Sequence, residues 1–174
     1  MQPFDAGLGD VVVNQNFMAN NSPGMSLSVR TDQGTRILAW EAMAAVHQLD
    51  SRYFCHGLTF NTFREFGPGY KYSVFGNSVA RVLADEYQLL GMLANPGAAI
   101  NVQAWDIAVW WLGMEAYHSA IIQYPAYHAG GIIDPATTMV RSKTGTGQLF
   151  TGPLSTVSQL HYRAGGHTQV YRRN

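Results

Sequence analysis

The hydrophobic period of this chain changes between the turn at Asn95-Pro96-Gly97 and Trp105, and that change constrains its fold class more than any other feature. Upstream, apolar residues recur at helical spacing. Leu38, Ala42, Ala45, Val46 and Leu49 form one stripe behind Thr35, which can cap a helix. Val79, Val82, Leu83 and Leu90 form another behind Asn77. Between them, residues 58–66 read as a shorter helix with Phe60 and Phe63 toward the core, broken by Gly67-Pro68-Gly69. Downstream, residues 105–111 and 116–124 are β-branched and aromatic, and Leu112-Gly113-Met114-Glu115 fits the loop of a hairpin between them. Residues 138–143 and 168–172 read as further strands and 153–161 as a short helix. Helices first and a hairpin-connected sheet afterwards is the α+β pattern, with N-terminal helices packed on an antiparallel β-sheet.

Residues 1–35 are rich in Asn, Gly and Ser, as in Asn20-Asn21-Ser22-Pro23-Gly24. Short strands are possible at Val11-Val12-Val13 and at residues 26–30. The segment reads as an irregular N-terminal arm or linker remnant, the sharper alternative being a partner-binding or delivery segment. Residues 36–174 then form one domain, and 47% hydrophobic content suits a single core. The 11 basic and 11 acidic residues cancel, so there is no clustered positive charge for nucleic acid. The longest apolar candidate, residues 107–114, is far short of the roughly 20 residues of a membrane span. No basic stretch followed by an apolar run opens the chain, so no secretory signal is expected.

Cys55 is the single cysteine, which excludes an internal disulfide and fits a reducing compartment. It is a buried small hydrophobe, a bystander or a nucleophile. It stands in Tyr53-Phe54-Cys55-His56-Gly57, just ahead of a run that can start a helix, and a helix start favours the thiolate. A cysteine nucleophile needs a base in hydrogen-bond reach and a group that orients the base. Of the six histidines, His118 opens the apolar strand Ser119-Ala120-Ile121-Ile122, where a sheet would hold it rigidly. Alternation places His118, Ala120 and Ile122 on one face. His56 adjoins the cysteine, but a neighbour on a helix start is expected to point elsewhere. His47, His128, His161 and His167 lie on a preceding helix, in a loop and near the end of the chain.

The order of these elements resembles the NlpC/P60-like cysteine hydrolases and their CHAP relatives, which are papain-like. In that resemblance Phe54-Cys55-His56-Gly57 stands for the nucleophile motif, and Trp105-Asp106-Ile107-Ala108-Val109-Trp110 for the Gly-Asp strand. Tyr117-His118-Ser119-Ala120-Ile121-Ile122 stands for the histidine strand, and Met139-Val140-Arg141-Ser142-Lys143 for the strand of the third residue. Cys55-His56-Gly57-Leu58-Thr59-Phe60, His118-Ser119 and Ser142-Lys143-Thr144-Gly145 look closer still to an uncharacterised bacterial branch with a Cys-His-Gly motif. The similarity covers about residues 50–172. Phe54 and His56 stand where the larger family has Asp before and Ser or Thr after the nucleophile, and Trp105 stands where it has Gly.

The resemblance implies a papain-like core and acyl transfer. Cys55 would be the nucleophile, His118 the base and Ser142 the orienting residue, with the Cys55 backbone N–H stabilising the oxyanion. Ser142 shares the face of Val140 and can approach His118 if Val140 is core; Arg141, on the other face with Lys143, is the alternative. Tyr53 could add an oxyanion donor, with packing its other role. Asp106 is expected to fix a turn at its strand start. The expected substrate is an amide, foremost in peptidoglycan peptides, with no cofactor and no metal. A zinc site from Cys55, His118 and His128 lacks paired ligand spacing. A deamidase, transglutaminase or acyltransferase using the same pair is the second reading, and a non-catalytic interaction domain the third. Among bacterial proteins the first reading includes an effector or toxin domain, held in the cytoplasm before export by a secretion system and restrained by an immunity protein. The tryptophans are expected to pack on the sheet, Ser142-Lys143-Thr144-Gly145-Thr146-Gly147 to form a hairpin loop over the site, and Arg172-Arg173 to be a solvated tail.

Overall fold

A computed structural model describes residues 17–19, 22–31, 33–42, 55–61, 72–93, 99–144, 149–161 and 163–174. The described chain is α+β, with antiparallel strands in two sheets and three helices. The smaller sheet holds β1 (Phe17–Ala19), β2 (Ser22–Arg30), β3 (Arg36–Ala42) and β4 (Tyr72–Val74), in that order. Helix α1 (Cys55–Asn61) lies between β3 and β4 in the chain, and α2 (Gly76–Glu86) follows β4. The larger sheet has the order β5 (Tyr87–Leu93), β10 (His167–Arg173), β6 (Ile107–Leu112), β7 (Glu115–Tyr124), β8 (Met139–Lys143), β9 (Leu149–Pro153), and α3 (Leu154–His161) links β9 to β10.

Two cores lie on opposite sides of the larger sheet, as strand alternation requires. One joins Ile107, Val109 and Ile121 to Leu58 and Phe60 of α1, Val79, Val82 and Leu83 of α2, and Ile37, Ala39 and Val74 of the smaller sheet. The other joins Ala108, Trp110, Ala120, Ile122 and Val140 to Leu154 and Val157 of α3. The β6–β7 hairpin turns at Gly113, whose φ of 61° is left-handed. Its register runs Val109↔Ser119 and Trp110↔His118, then shifts so that Trp111 faces Ala116, leaving Tyr117 as the extra residue of a bulge.

Several sequence expectations are corrected. Residues 36–42 form strand β3, not the start of a helix. The stripe hid a second period: Ile37 and Ala39 are buried while Arg36 and Leu38 are exposed, the alternation of a strand paired to β2. The register Arg30↔Arg36 carries that pairing across position 35, so residues 22–30 are regular strand rather than irregular arm. Elements therefore begin with strands, and the N-terminal helices are α1 and α2. Helix α2 is flanked by Phe75 at its N-cap, not Asn77, and ends at Glu86. Tyr87 is extended, and Leu90 belongs to β5. Helix α1 starts at Cys55 itself, three residues before the expected 58. Val11-Val12-Val13, residues 43–50 and 62–66, and Asn95-Pro96-Gly97 lie outside the described residues.

Candidate active site

Cys55 opens α1 and is buried. Two buried histidines set the electrostatics of its thiol, His118 from β7 and His56 from its own helix. Burial raises a thiol pKa, because a buried anion loses its hydration. The charge of His56, the hydrogen bonds of His118 and His56, and the charge of His118 outweigh that penalty. They hold the Cys55 thiol well below its ordinary value of 9.0. The shift is reciprocal at His56. Burial pulls that ring down, but the Cys55 charge, the Ala116 carbonyl and Glu115 raise it above its ordinary 6.5. Opposite charges in a dry site stabilise each other, so the pair favours thiolate and imidazolium.

His118 is 1% exposed. Its Nε2 lies 2.8 Å from Ser142 Oγ, which leaves Nδ1 as the ring nitrogen not engaged by that hydroxyl. Ser142 lies on the Val140 side of β8, and Val140 is core, which is what brings the hydroxyl to the ring. Arg141 faces the opposite side. The structure thus joins His118 to Ser142, and the His118 ring helps lower the Cys55 thiol. Lys143, on the Arg141 side, is fully buried.

Two arrangements were not legible in the sequence. The first surrounds His56. Its Nε2 lies 2.9 Å from the Ala116 carbonyl and its Nδ1 lies 2.8 Å from Ser119 Oγ; Ser119 in turn donates to Thr59 Oγ1 at 2.9 Å. His56 therefore does not point away from the site. The available signal was Thr59, one helical turn after Cys55 and so on its face of α1. The second is His161 of α3, whose ring stacks on His118 with centroids 3.4 Å apart and planes within 7°. Burial, the His118 charge and Arg163 lower His161 to about 4, so it is neutral at pH 7. Trp110, across the ladder from His118, tilts against the same ring at 5.2 Å.

Asp106 fixes the turn before β6 by accepting the Gln103 N–H, in a segment where Trp105 takes a φ of 77°. It also receives both Nε and Nη2 of Arg172, so Arg172 is no solvated tail. Trp110 and Trp111 pack in the sheet and Trp105 is half exposed. His128 sits 3.4 Å from Asp134 in a loop, and His167 stacks on Trp111. Among the described residues no group of three or more His, Cys, Asp or Glu is placed to hold a metal ion. No described helix is long and apolar enough to cross a membrane. His47, Tyr53, Phe54 and residues 145–148 lie outside the described residues. No protein-family model matches the chain, and neither a curated protein nor a solved structure does.

Proposed function

We propose that this protein is a papain-like cysteine hydrolase of the NlpC/P60 type that cleaves an amide, with a peptidoglycan peptide as its substrate. One arrangement carries the reading: buried Cys55 opens α1 with buried His56 next to it, His118 Nε2 lies 2.8 Å from Ser142 Oγ, and the two histidines lower the thiol pKa. A merely structural buried thiol has no such partners and stays protonated.

In this reading His118 takes the thiol proton and Cys55 attacks the amide carbonyl, forming the C–S bond. The tetrahedral intermediate collapses, the C–N bond breaks, and His118 hands its proton to the leaving amine. Water then attacks the thioester with His118 as base, and the thiol is restored. Ser142 orients the imidazole, as the third member of a triad does.

The test is incubation of the purified chain with peptidoglycan peptides, followed by mass spectrometry for new amines. Wild type releases them; Cys55→Ala and His118→Ala release them at least about a thousandfold more slowly, the scale on which removing a triad member acts. Activity surviving in Cys55→Ala ends the proposal. Acyl groups appearing on an added amine instead of water would assign the site to the transferase reading.

A further inference from the structure

We infer that His56 is a standing imidazolium that holds the Cys55 thiolate, while His118 alone moves the proton. The inference deepens the hydrolase reading, on which it rests for its mechanistic meaning, and it follows from donor and acceptor accounting in the second network. A backbone carbonyl only accepts, so the contact of His56 Nε2 with Ala116 O places a proton on Nε2. When Ser119 donates its hydroxyl proton to Thr59 Oγ1, its oxygen accepts from His56, and Nδ1 carries a proton as well. The reverse order, Thr59 to Ser119 to Nδ1, leaves the ring neutral, and a thiolate on the adjacent Cys55 favours the first. A ring protonated on both nitrogens is a cation.

That cation is buried, as are Ser119 and Thr59. A buried charge without a partner is strongly destabilising, and the Cys55 sulfur beside it is the group that can supply the opposite charge from within α1. Glu115, exposed at the start of β7, adds a weaker negative field.

The consequence is a division of roles. Both protons of His56 are committed, to Ala116 and to Ser119, and stay in place through the cycle. The proton that leaves the thiol and reaches the leaving amine travels on His118, whose ring is fixed by Ser142 on one nitrogen and by the His161 stack on its face. A helix-borne cation next to the nucleophile lets the thiolate persist when His118 has given its proton away.

The test reads the thiolate directly, by its ultraviolet absorbance titrated against pH, with Cys55→Ser as the blank. His56→Gln is expected to raise the titration midpoint by about one pH unit or more, as loss of an adjacent opposite charge does. His118→Gln is expected to raise it less. An unmoved midpoint in His56→Gln, or a larger shift in His118→Gln, overturns the inference. Should His56→Gln fail to fold, nitrogen-15 NMR of the wild-type imidazoles decides the matter. Two protonated His56 nitrogens at neutral pH support the inference, and one bare nitrogen overturns it. Neither measurement needs a substrate, so a His56-held thiolate in a chain that cleaves no amide would sink the hydrolase reading and leave this one standing.

Discussion

His161 is a histidine that the fold keeps from titrating near neutrality. Its ring lies against His118 with a 3.4 Å centroid separation, too close for two imidazolium ions to share comfortably, and its ordinary pKa of 6.5 falls to about 4. The folded chain therefore binds this proton less readily than the unfolded chain does. By linkage, stability rises with pH wherever the unfolded state holds more protons. The His161 contribution is fully present above pH 6.5 and is lost as pH falls toward about 4. Replacing the ring with one that stacks but cannot ionise removes the linkage. Thermal melts of wild type and His161→Phe at neutral pH and near pH 4.5 are expected to converge or cross on acidification, the variant losing less. Equal losses in both chains would show that His161 is not linked to folding. At this scale the sequence was informative where one residue type had one job. Cys55 had no disulfide partner, His118 opened an apolar strand, and Ser142 shared a face with Val140. His56 was opaque because successive helical residues diverge by about 100°. Only the path of β7, which brings Ala116 and Ser119 to that ring, makes it part of the site. His161 reaches His118 from α3, packed on the same face of the sheet but far along the chain, and no local pattern encodes that approach.

Elements place the site by close backbone approach. Gly76 begins α2 directly against β7, and a Cβ there would stand 2.2 Å from the Ala116 carbonyl oxygen, the same atom that receives His56. Backbone cannot swing aside as a long side chain does, so helix or strand must shift. Gly76→Ala is expected to destabilise the chain by about 1–3 kcal/mol, the usual range for overpacking a filled site. It should also raise the Cys55 titration midpoint, since the acceptor that positions His56 moves. Denaturant melts and the thiolate titration check the two effects together. A variant with wild-type stability would show that α2 does not press this closely on β7 in solution. Elements were legible where one period dominated, as in β6, β7, β8, α3 and β10. They failed where two periods fitted the same residues. In 36–42 the helical stripe reads Leu38 and Ala42 while the strand alternation buries Ile37 and Ala39, and pairing with β2 decides between them. Leu90 fits the α2 stripe, yet it lies in β5 at the bulge between Leu89 and Gly91, which pair with β10 on either side of it.

The whole molecule hangs on the larger sheet, whose two faces serve different layers, and the link that closes its chain ends is Asp106 with Arg172. Asp106 precedes β6 and Arg172 lies in β10, 66 residues later, and the carboxylate is 3% exposed. Arg172 Nη2 donates both to Asp106 Oδ2 at 2.7 Å and to the Asn101 carbonyl at 2.9 Å, while Nε donates to Asp106 Oδ1 at 2.9 Å. One guanidinium thus binds the turn before β6, the segment ahead of that turn and the last strand. Its charge also offsets the burial of the carboxylate, and Asp106 in return raises Arg172 above its ordinary range. Removing Arg172 leaves a buried carboxylate whose remaining side-chain hydrogen bond among the described residues is from the Gln103 N–H. Loss of charge-assisted bonds to a group that stays buried costs about 2–3 kcal/mol, toward the lower end of buried-pair losses because a quarter of the Arg172 side chain is exposed. Arg172→Leu is therefore expected to lower stability by that amount in urea melts, and Asp106→Asn with Arg172→Leu together to recover part of it, since no buried charge then remains. The Cys55 thiolate titration should stay at its wild-type midpoint in both variants, because neither side chain touches the thiol, His56 or His118. A shifted midpoint would show that the closure of β6 on β10 sets the geometry of the β7 histidine, and would make the sheet, rather than the helix that carries Cys55, the element that tunes the nucleophile.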